Sequence, residues 1–222
     1  MRVSILFATL VVVFSPGIGL TQEWIEYANL TDQFTINFAG APEITETTYL
    51  SEYRALLPAR VYTANYGPNR YSVTVVDYTD AERLLRERDS RTRGDDLPGD
   101  ILGAVDYAAW NIRKRGGELT YDSWAAYDRI AGHQLHITNG DQTRTYAGIF
   151  RHVRRVYIVE ATVSINSPPP VLFQQSLGIL DGQGRRVRYE FYSDDNGEIQ
   201  KNRVETGERW VGDPPSLTLL PR

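Results

Sequence analysis

The chain has 222 residues, of which 23% are charged and 11% aromatic, and its formal net charge is −4. Mild acidity of this kind argues against a general role in nucleic-acid binding. Cysteine is absent, which excludes disulfides and a lipid-modified cysteine, and the roughly 200 residues after the N-terminal segment are enough to bury a core without them.

Residues 1–21 have the layout of a secretory signal peptide. Arg2 precedes an apolar run from Ile5 to Phe14, and Ser15-Pro16 then breaks the run. A retained membrane anchor is the alternative interpretation. It is disfavoured because the run is shorter than the roughly 20 apolar residues that a membrane-spanning helix needs. The sequence therefore predicts an exported protein, periplasmic or secreted, with no stable membrane span after cleavage.

Predicted strands dominate the first part of the mature chain. A short strand at Trp24–Tyr27 is followed by Phe34–Phe38, in which alternation places the three apolar residues on one face. Turn residues such as Gly67-Pro68-Asn69 divide the next segment into an antiparallel meander. Its predicted strands are Thr45–Tyr53, Ala59–Tyr66 and Arg70–Tyr78.

Two helices are predicted after the meander. Asp80 is placed to cap Ala81–Arg88, and Asp100 to cap a second helix that ends at Arg115 before two glycines. A polar loop, Asp89–Gly99, separates the two helices. The apolar residues of the second helix recur at helical spacing and are Ile101, Val105, Ala108, Ala109 and Ile112.

Strands return after the second helix, and Asn139-Gly140 marks a tight hairpin between two of them. The predicted strands are Glu118–Tyr127, Gly132–Thr138, Gln142–Phe150 and Arg154–Ile165. A helix over Val171–Leu180 follows, with Ser167 as its cap. Val187–Tyr192 and Glu198–Val204 then form a predicted hairpin.

This order of elements predicts an α+β fold: an antiparallel twisted β-sheet flanked by helices, an α/β/α sandwich, with an added C-terminal β-hairpin. We divide the chain into a signal peptide over residues 1–21, a sandwich domain over residues 22–181, and a C-terminal hairpin with an irregular tail over residues 182–222. Trp124 and Tyr127 are interpreted as core aromatics rather than as a platform for a ligand.

No residue pattern identifies a catalytic, cofactor-binding or metal site. His133 and His136 are three residues apart on a predicted strand, so their side chains point to opposite faces, and the nearest carboxylates do not complete a zinc spacing. Asp194-Asp-Asn-Gly197 resembles a piece of a calcium loop. Tyr192 and Arg203 stand where that loop needs carboxylates, so the segment is interpreted as a turn.

Arginine supplies nearly all of the positive charge. The group between Arg83 and Arg93 is interspersed with acidic residues and is interpreted as a solvated, self-neutralised face. A second group, Arg151, Arg154 and Arg155, lies at a strand turn. Because arginine binds carboxylates and phosphates in a bidentate manner, this group is the candidate patch for an anionic ligand or a partner.

The segment Phe34-Thr-Ile-Asn-Phe38-Ala-Gly-Ala-Pro42 resembles the F-x-x-x-F-P-x-x-P opening of the PsbP and Mog1-like α/β/α sandwich proteins, although Ala39 stands where that family usually has Pro. Phe173-Gln-Gln-Ser-Leu-Gly-Ile-Leu180 resembles their closing helix. The resemblance covers residues 24–181 and implies the sandwich fold. It also implies a mostly non-catalytic protein that binds to or helps assemble larger complexes, and it supplies no catalytic residues.

We therefore expect an exported, soluble binding or assembly module of the bacterial cell envelope that is not an enzyme and holds no cofactor. The expected partner is a protein or a small anionic ligand, and no nucleic acid. Two alternatives stay open. The lack of cysteine, and of methionine after Met1, would suit an envelope structural or stress protein, and a hydrolase could use an unrecognised carboxylate/His site around His133, His136 or His152.

Signal cleavage between Gly19 and Thr21 predicts a mature chain that starts near Leu20 or Gln22. The native mass of the protein, purified gently from its exported compartment, measures that start directly. A mass that still includes Met1 would contradict the soluble, exported interpretation.

Overall fold

A computed structural model describes residues 24–88, 102–193, 196, 198–209 and 218–219. Within these ranges no helix is both long and apolar enough to cross a membrane. Several predicted features lie outside the described residues: the signal peptide over residues 1–21, the loop over 89–99 with the Asp100 cap, Arg91 and Arg93, the greater part of the turn over 194–197, and most of the irregular tail.

Strands account for most of the described chain. They are β1 Ile25–Asn29, β2 Phe34–Phe38, β3 Glu43–Leu50, β4 Leu56–Tyr66, β5 Asn69–Asp77, β6 Glu118–Tyr127, β7 Ile130–Thr138, β8 Arg144–His152, β9 Arg155–Val163, β10 Gly178–Ile179, β11 Arg185–Ser193, β12 Ile199–Arg209 and β13 Thr218–Leu219. The helices are α1 Ala81–Arg88, α2 Leu102–Arg113 and α3 Val171–Gln175.

The largest sheet has seven strands in the order β3-β4-β5-β9-β8-β7-β6. Every pair of neighbours is antiparallel, so the predicted α+β fold around an antiparallel sheet is confirmed. The meander that the sequence predicts, β3 to β5, and a second one formed by β6 to β9 meet where β5 pairs with β9. That junction places β5, β8 and β9 in the middle of the sheet, where both faces are covered.

One face of this sheet, the α face, packs against the helices. Of the residues predicted to be apolar at helical spacing in the second helix, Val105, Ala108, Ala109 and Ile112 are buried, and Ile101 lies outside the described residues. They contact strand residues such as Leu135 within one core cluster. On α1 the exposed arginines pair with neighbouring carboxylates, Arg83 with Asp80 and Glu87, and Arg86 with Glu82, so the self-neutralised face predicted here is confirmed for the described residues.

The other face, the β face, is covered by a small sheet of order β10-β2-β1-β13 together with α3 and part of β11. Phe34, Ile36 and Phe38 are fully buried there, as their alternation predicts. Phe34 packs edge-on against Tyr62 of the large sheet, with ring centroids 4.9 Å apart. The sandwich is therefore helical on one side and mostly extended on the other.

The helix predicted over Val171–Leu180 is shorter than expected, because α3 ends at Gln175. The Ser176 hydroxyl donates a hydrogen bond to the Phe173 carbonyl oxygen and accepts one from the Asn37 backbone N–H. Gly178–Ile179 then forms β10, paired with β2. Ser167 was expected to cap this helix, but Pro170 occupies the cap position and the Ser167 hydroxyl instead bonds to Asn69.

The predicted C-terminal hairpin is formed by β11 and β12, with a bulge between Arg185 and Val187. It contributes to the core of the sandwich, because Val187 is buried in the β-face cluster. A single β-bridge between Leu180 and Arg186 links it to the preceding segment.

Asp32, in the turn between β1 and β2, ties the small sheet to the large one. Its side chain is only 3% exposed and forms an ion pair with Arg60 of β4. The Tyr62 hydroxyl also donates to this carboxylate, and the Tyr157 hydroxyl donates to the Asp32 carbonyl oxygen at 3.0 Å. A buried carboxylate is tolerated only with such partners, so this contact fixes where the hairpin sits.

Replacing Asp32 by alanine should lower the free energy of unfolding by about 3 kcal/mol, because the buried Tyr62 hydroxyl and the Arg60 guanidinium lose their partner. Denaturant unfolding followed by tryptophan fluorescence measures the loss. The control is Glu87→Ala, whose ion pair with Arg83 is exposed and whose loss should stay below about 1 kcal/mol. Equal losses in the two variants would contradict the role given to Asp32.

Candidate functional site

The predicted arginine patch lies at the two-residue turn between β8 and β9, and its side chains diverge. Arg154 reaches the Thr79 carbonyl oxygen at 3.4 Å and Glu82 at 3.9 Å. Arg155 donates to Gln33 Oε1 at 2.6 Å and to the Thr31 carbonyl oxygen at 3.1 Å. Arg151 lies opposite Val156, whose side chain belongs to the α-face core. Binding of an anion by the three together stays a prediction.

The C-terminal hairpin packs against this turn. His152 lies directly opposite Arg155 in the β8–β9 pair, and its Nε2 is 3.1 Å from the Tyr189 hydroxyl on β11. Lys201 of β12 places its Nζ 4.2 Å from the centre of the Tyr189 ring. The neighbouring β6–β7 turn holds the same strand, because the Asp128 carbonyl oxygen accepts a hydrogen bond from the Tyr189 N–H at 3.3 Å.

His152 lies opposite Arg155 and contacts Tyr189, a residue that has Lys201 over its ring and Arg203 opposite it in the hairpin. We call His152, Arg155, Lys201 and Arg203 the basic cluster. Burial, and then the charges of Arg203, Lys201 and Arg155, lower the pKa of His152 to about 4. The imidazole is therefore neutral at pH 7. Three cations thus converge on a group that adds no charge of its own.

Three carboxylates border the basic cluster, and each has partners. Asp181 pairs with Arg203 and Arg185. Burial acts to raise the pKa of the Asp181 carboxyl, but hydrogen bonds from the Arg185 and Gln183 backbone and from Arg203 hold that pKa well below its usual range. Asp128 pairs with Arg186 and Arg188, and Asp77, opposite Arg155 on β5, accepts a hydrogen bond from the Thr79 N–H.

A second polar cluster joins α2 to the edge strand β6. Arg113 donates through Nε and Nη2 to the Asp122 carboxylate at 2.7 Å, and His133 Nε2 contacts the same carboxylate. The hydrogen bond from Arg113, followed by that from His133, lowers the pKa of Asp122 even though burial opposes the change. Asp122 is therefore a fixed negative charge that orients both neighbours.

The geometry of the histidines gives no support to the hydrolase alternative. His133 Nδ1, the ring nitrogen left to face a nucleophile, is buried and has no hydrogen-bond partner among the described residues. His136 lies on the opposite face of β7, as predicted, between the rings of Tyr121 and Tyr146 at 4.8 and 4.6 Å. With His152 at the far turn, the three histidines occupy three separate surroundings.

The interpretation of Trp124 as a core residue was wrong, because its side chain is 64% exposed. It lies on β6, the last strand of the large sheet, and packs edge-on against His133 with ring centroids 5.3 Å apart. Leu119 and Tyr121 of the same strand are 45% and 44% exposed. We call Leu119, Tyr121 and Trp124 the β6 edge. Tyr127, at the end of the strand, does pack against the β-face core.

No protein-family model matches this chain, and no curated protein sequence matches it. Among solved structures, its fold is similar to the solution structure of cyanobacterial PsbP (CyanoP) from Synechocystis sp. PCC 6803, at 12% sequence identity and a TM-score of 0.43. The match covers 76% of this chain and 98% of the cyanobacterial one. The PsbP-like resemblance predicted from the sequence thus recurs in the fold comparison, and a match of this size concerns the fold alone.

The half-buried, neutral His152 predicts a pH-dependent stability. Its pKa of about 4 in the folded protein lies below the ordinary value of about 6.5, so its contribution is complete above about pH 6.5 and is lost as the pH falls toward 4. Between pH 7 and 4.5 the wild type should lose roughly 2 kcal/mol more than His152→Gln. Unfolding curves at both pH values measure the difference, and parallel losses in the two proteins would contradict it.

Proposed function

We propose that this chain is an exported, non-catalytic binding or assembly module of the cell envelope, and that its partner is an extended segment of another protein that docks on the β6 edge. Export is supported by the layout of residues 1–21. The observation that carries the binding proposal is that β6, an edge strand, exposes the large side chains of Leu119, Tyr121 and Trp124.

Edge strands present unpaired backbone groups and are usually protected by charged or polar side chains. The opposite edge of the same sheet, β3, follows that rule in part: it includes Glu43, Glu46 and three threonines, although Ile44 and Leu50 are also exposed. The β6 edge departs from it, because large apolar side chains occupy both of its faces. An extended partner segment would add an eighth strand there and bury those side chains.

The ring of Trp124 is oriented by its neighbours before any partner binds. Its ring packs edge-on against His133, His133 is bound to Asp122, and Asp122 is bound to Arg113 of α2. Tryptophan side chains of this kind are among the commonest energetic anchors of protein interfaces. A ring that is already oriented loses less entropy on binding than a free one.

Removal of the Trp124 side chain should weaken partner binding, and removal of an exposed tryptophan elsewhere should not. Trp124→Ala is expected to lower partner affinity by at least about tenfold, whereas Trp110→Ala, which removes a 48% exposed tryptophan from α2, should leave it unchanged. A photoreactive side chain at position 121 first fixes the partner covalently in the producing cells. The purified partner is then titrated against the wild type and both variants.

Amide hydrogen exchange shows where that partner binds. Docking as an added strand should slow exchange along β6, while the β3 amides at the opposite edge keep their rates. Protection confined to another element, equal losses in Trp124→Ala and Trp110→Ala, or cross-linking to a second copy of this chain alone would each contradict the proposal.

A further inference from the structure

The basic cluster has an excess of positive charge that the described residues do not balance. Arg155 and Lys201 form no ion pair with a described carboxylate, and Arg203 shares Asp181 with Arg185. Of the other bordering carboxylates, Asp128 is paired with Arg186, and Asp77, opposite Arg155, is bonded to a neutral backbone N–H, so three cations face one unshared carboxylate and one shared carboxylate. Lys201 and Arg203 are exposed, so water and salt screen the repulsion between these cations, but an anion held among them would be attracted by their combined charge.

The cations are also held in place, as a binding site requires. Arg155 is fixed by Gln33 and by the Thr31 carbonyl oxygen, and its Nε is buried without a hydrogen-bond partner. Lys201 is held over the rings of Tyr189 and Phe191, at 4.2 and 5.9 Å. The side chains come from β9 and β12, so their positions depend on tertiary packing and not on one flexible loop.

We propose that Arg155, Lys201 and Arg203 bind an oxyanion of the phosphate or sulfate class, and that this binding is coupled to protonation of His152. Two guanidinium groups offer the paired N–H donors that such oxygens accept, and the ammonium of Lys201 adds a third charge. The bound anion opposes the cations that now keep the imidazole neutral, so each event favours the other. The site is separate from the β6 edge, and its existence does not depend on the partner proposed there.

Sulfate is the first probe, because its charge is constant between pH 4 and 8. Calorimetric titration of the mature protein at fixed ionic strength should show saturable binding of one sulfate. Arg155→Gln and Lys201→Gln should each weaken it by about tenfold, and Lys201→Arg should retain it. The matched control is Arg154→Gln, because Arg154 lies in the same turn but contacts Thr79 and Glu82; its affinity should stay within twofold of wild type.

The pKa of the His152 ring is measured by NMR titration, and its signal is assigned with His152→Gln. This pKa distinguishes anion binding at the basic cluster from nonspecific attraction of anions to the protein surface. Saturating sulfate should raise its pKa from about 4 toward the ordinary value of about 6.5. Inorganic phosphate and a phosphate monoester, compared next, separate a free ion from a group on a larger ligand. The proposal is overturned if binding is not saturable, if Arg154→Gln weakens it as much as Arg155→Gln, or if sulfate leaves the His152 titration unchanged.

Discussion

The carboxylate of Asp32 lies in the interior, and the positions of both sheets and of the hairpin follow from how its charge is satisfied. Arg60 and Tyr62 hold it against the large sheet, which places the β1–β2 turn beside β9. The next residue in that turn, Gln33, then accepts a hydrogen bond from Arg155 and, through its carbonyl oxygen, one from the Leu180 N–H at 2.8 Å. The chain that follows Leu180 leads into β11, so the hairpin and its cations depend on a buried charge far away in the sequence.

Local patterns in the sequence are enough to predict most strands and the apolar stripe of α2, because alternation and helical spacing are properties of neighbouring residues. Features that depend on pairing with distant strands could not be predicted in this way. An aromatic residue on a predicted strand suits a core position, as expected for Trp124, but only the strand order shows that β6 has no neighbour beyond it among the described strands. The sequence places Gly178 in a predicted helix, yet in the structure it pairs with Thr35 of β2. A Cβ at this position would lie 2.6 Å from the Thr35 methyl carbon. The basic cluster joins residues of the second meander to residues of the hairpin, so Arg155 could be suspected from the sequence but Lys201 and Arg203 could not.

The two proposed surfaces are supported in different ways. The β6 edge stands on a hydrogen-bonded relay from α2, so Trp124 is oriented by neighbours that are themselves fixed. The basic cluster lies next to a strained turn: Val153 has φ of 51°, in a region that β-branched residues rarely adopt. Such strain persists only where the surroundings impose it. Here His152 and Arg155 on either side of the turn are both held by other elements.

The order β3-β4-β5-β9-β8-β7-β6 also has a consequence in time. Each meander can form from contacts between strands that are adjacent along the chain, and such contacts form quickly. The junction is different, because pairing Val76 of β5 with Val156 of β9 closes a long loop that includes α1, α2 and the strands β6, β7 and β8. We expect that closure to limit the folding rate, so that a nascent chain would hold two half-sheets with open edges until the β9 segment is available to join them.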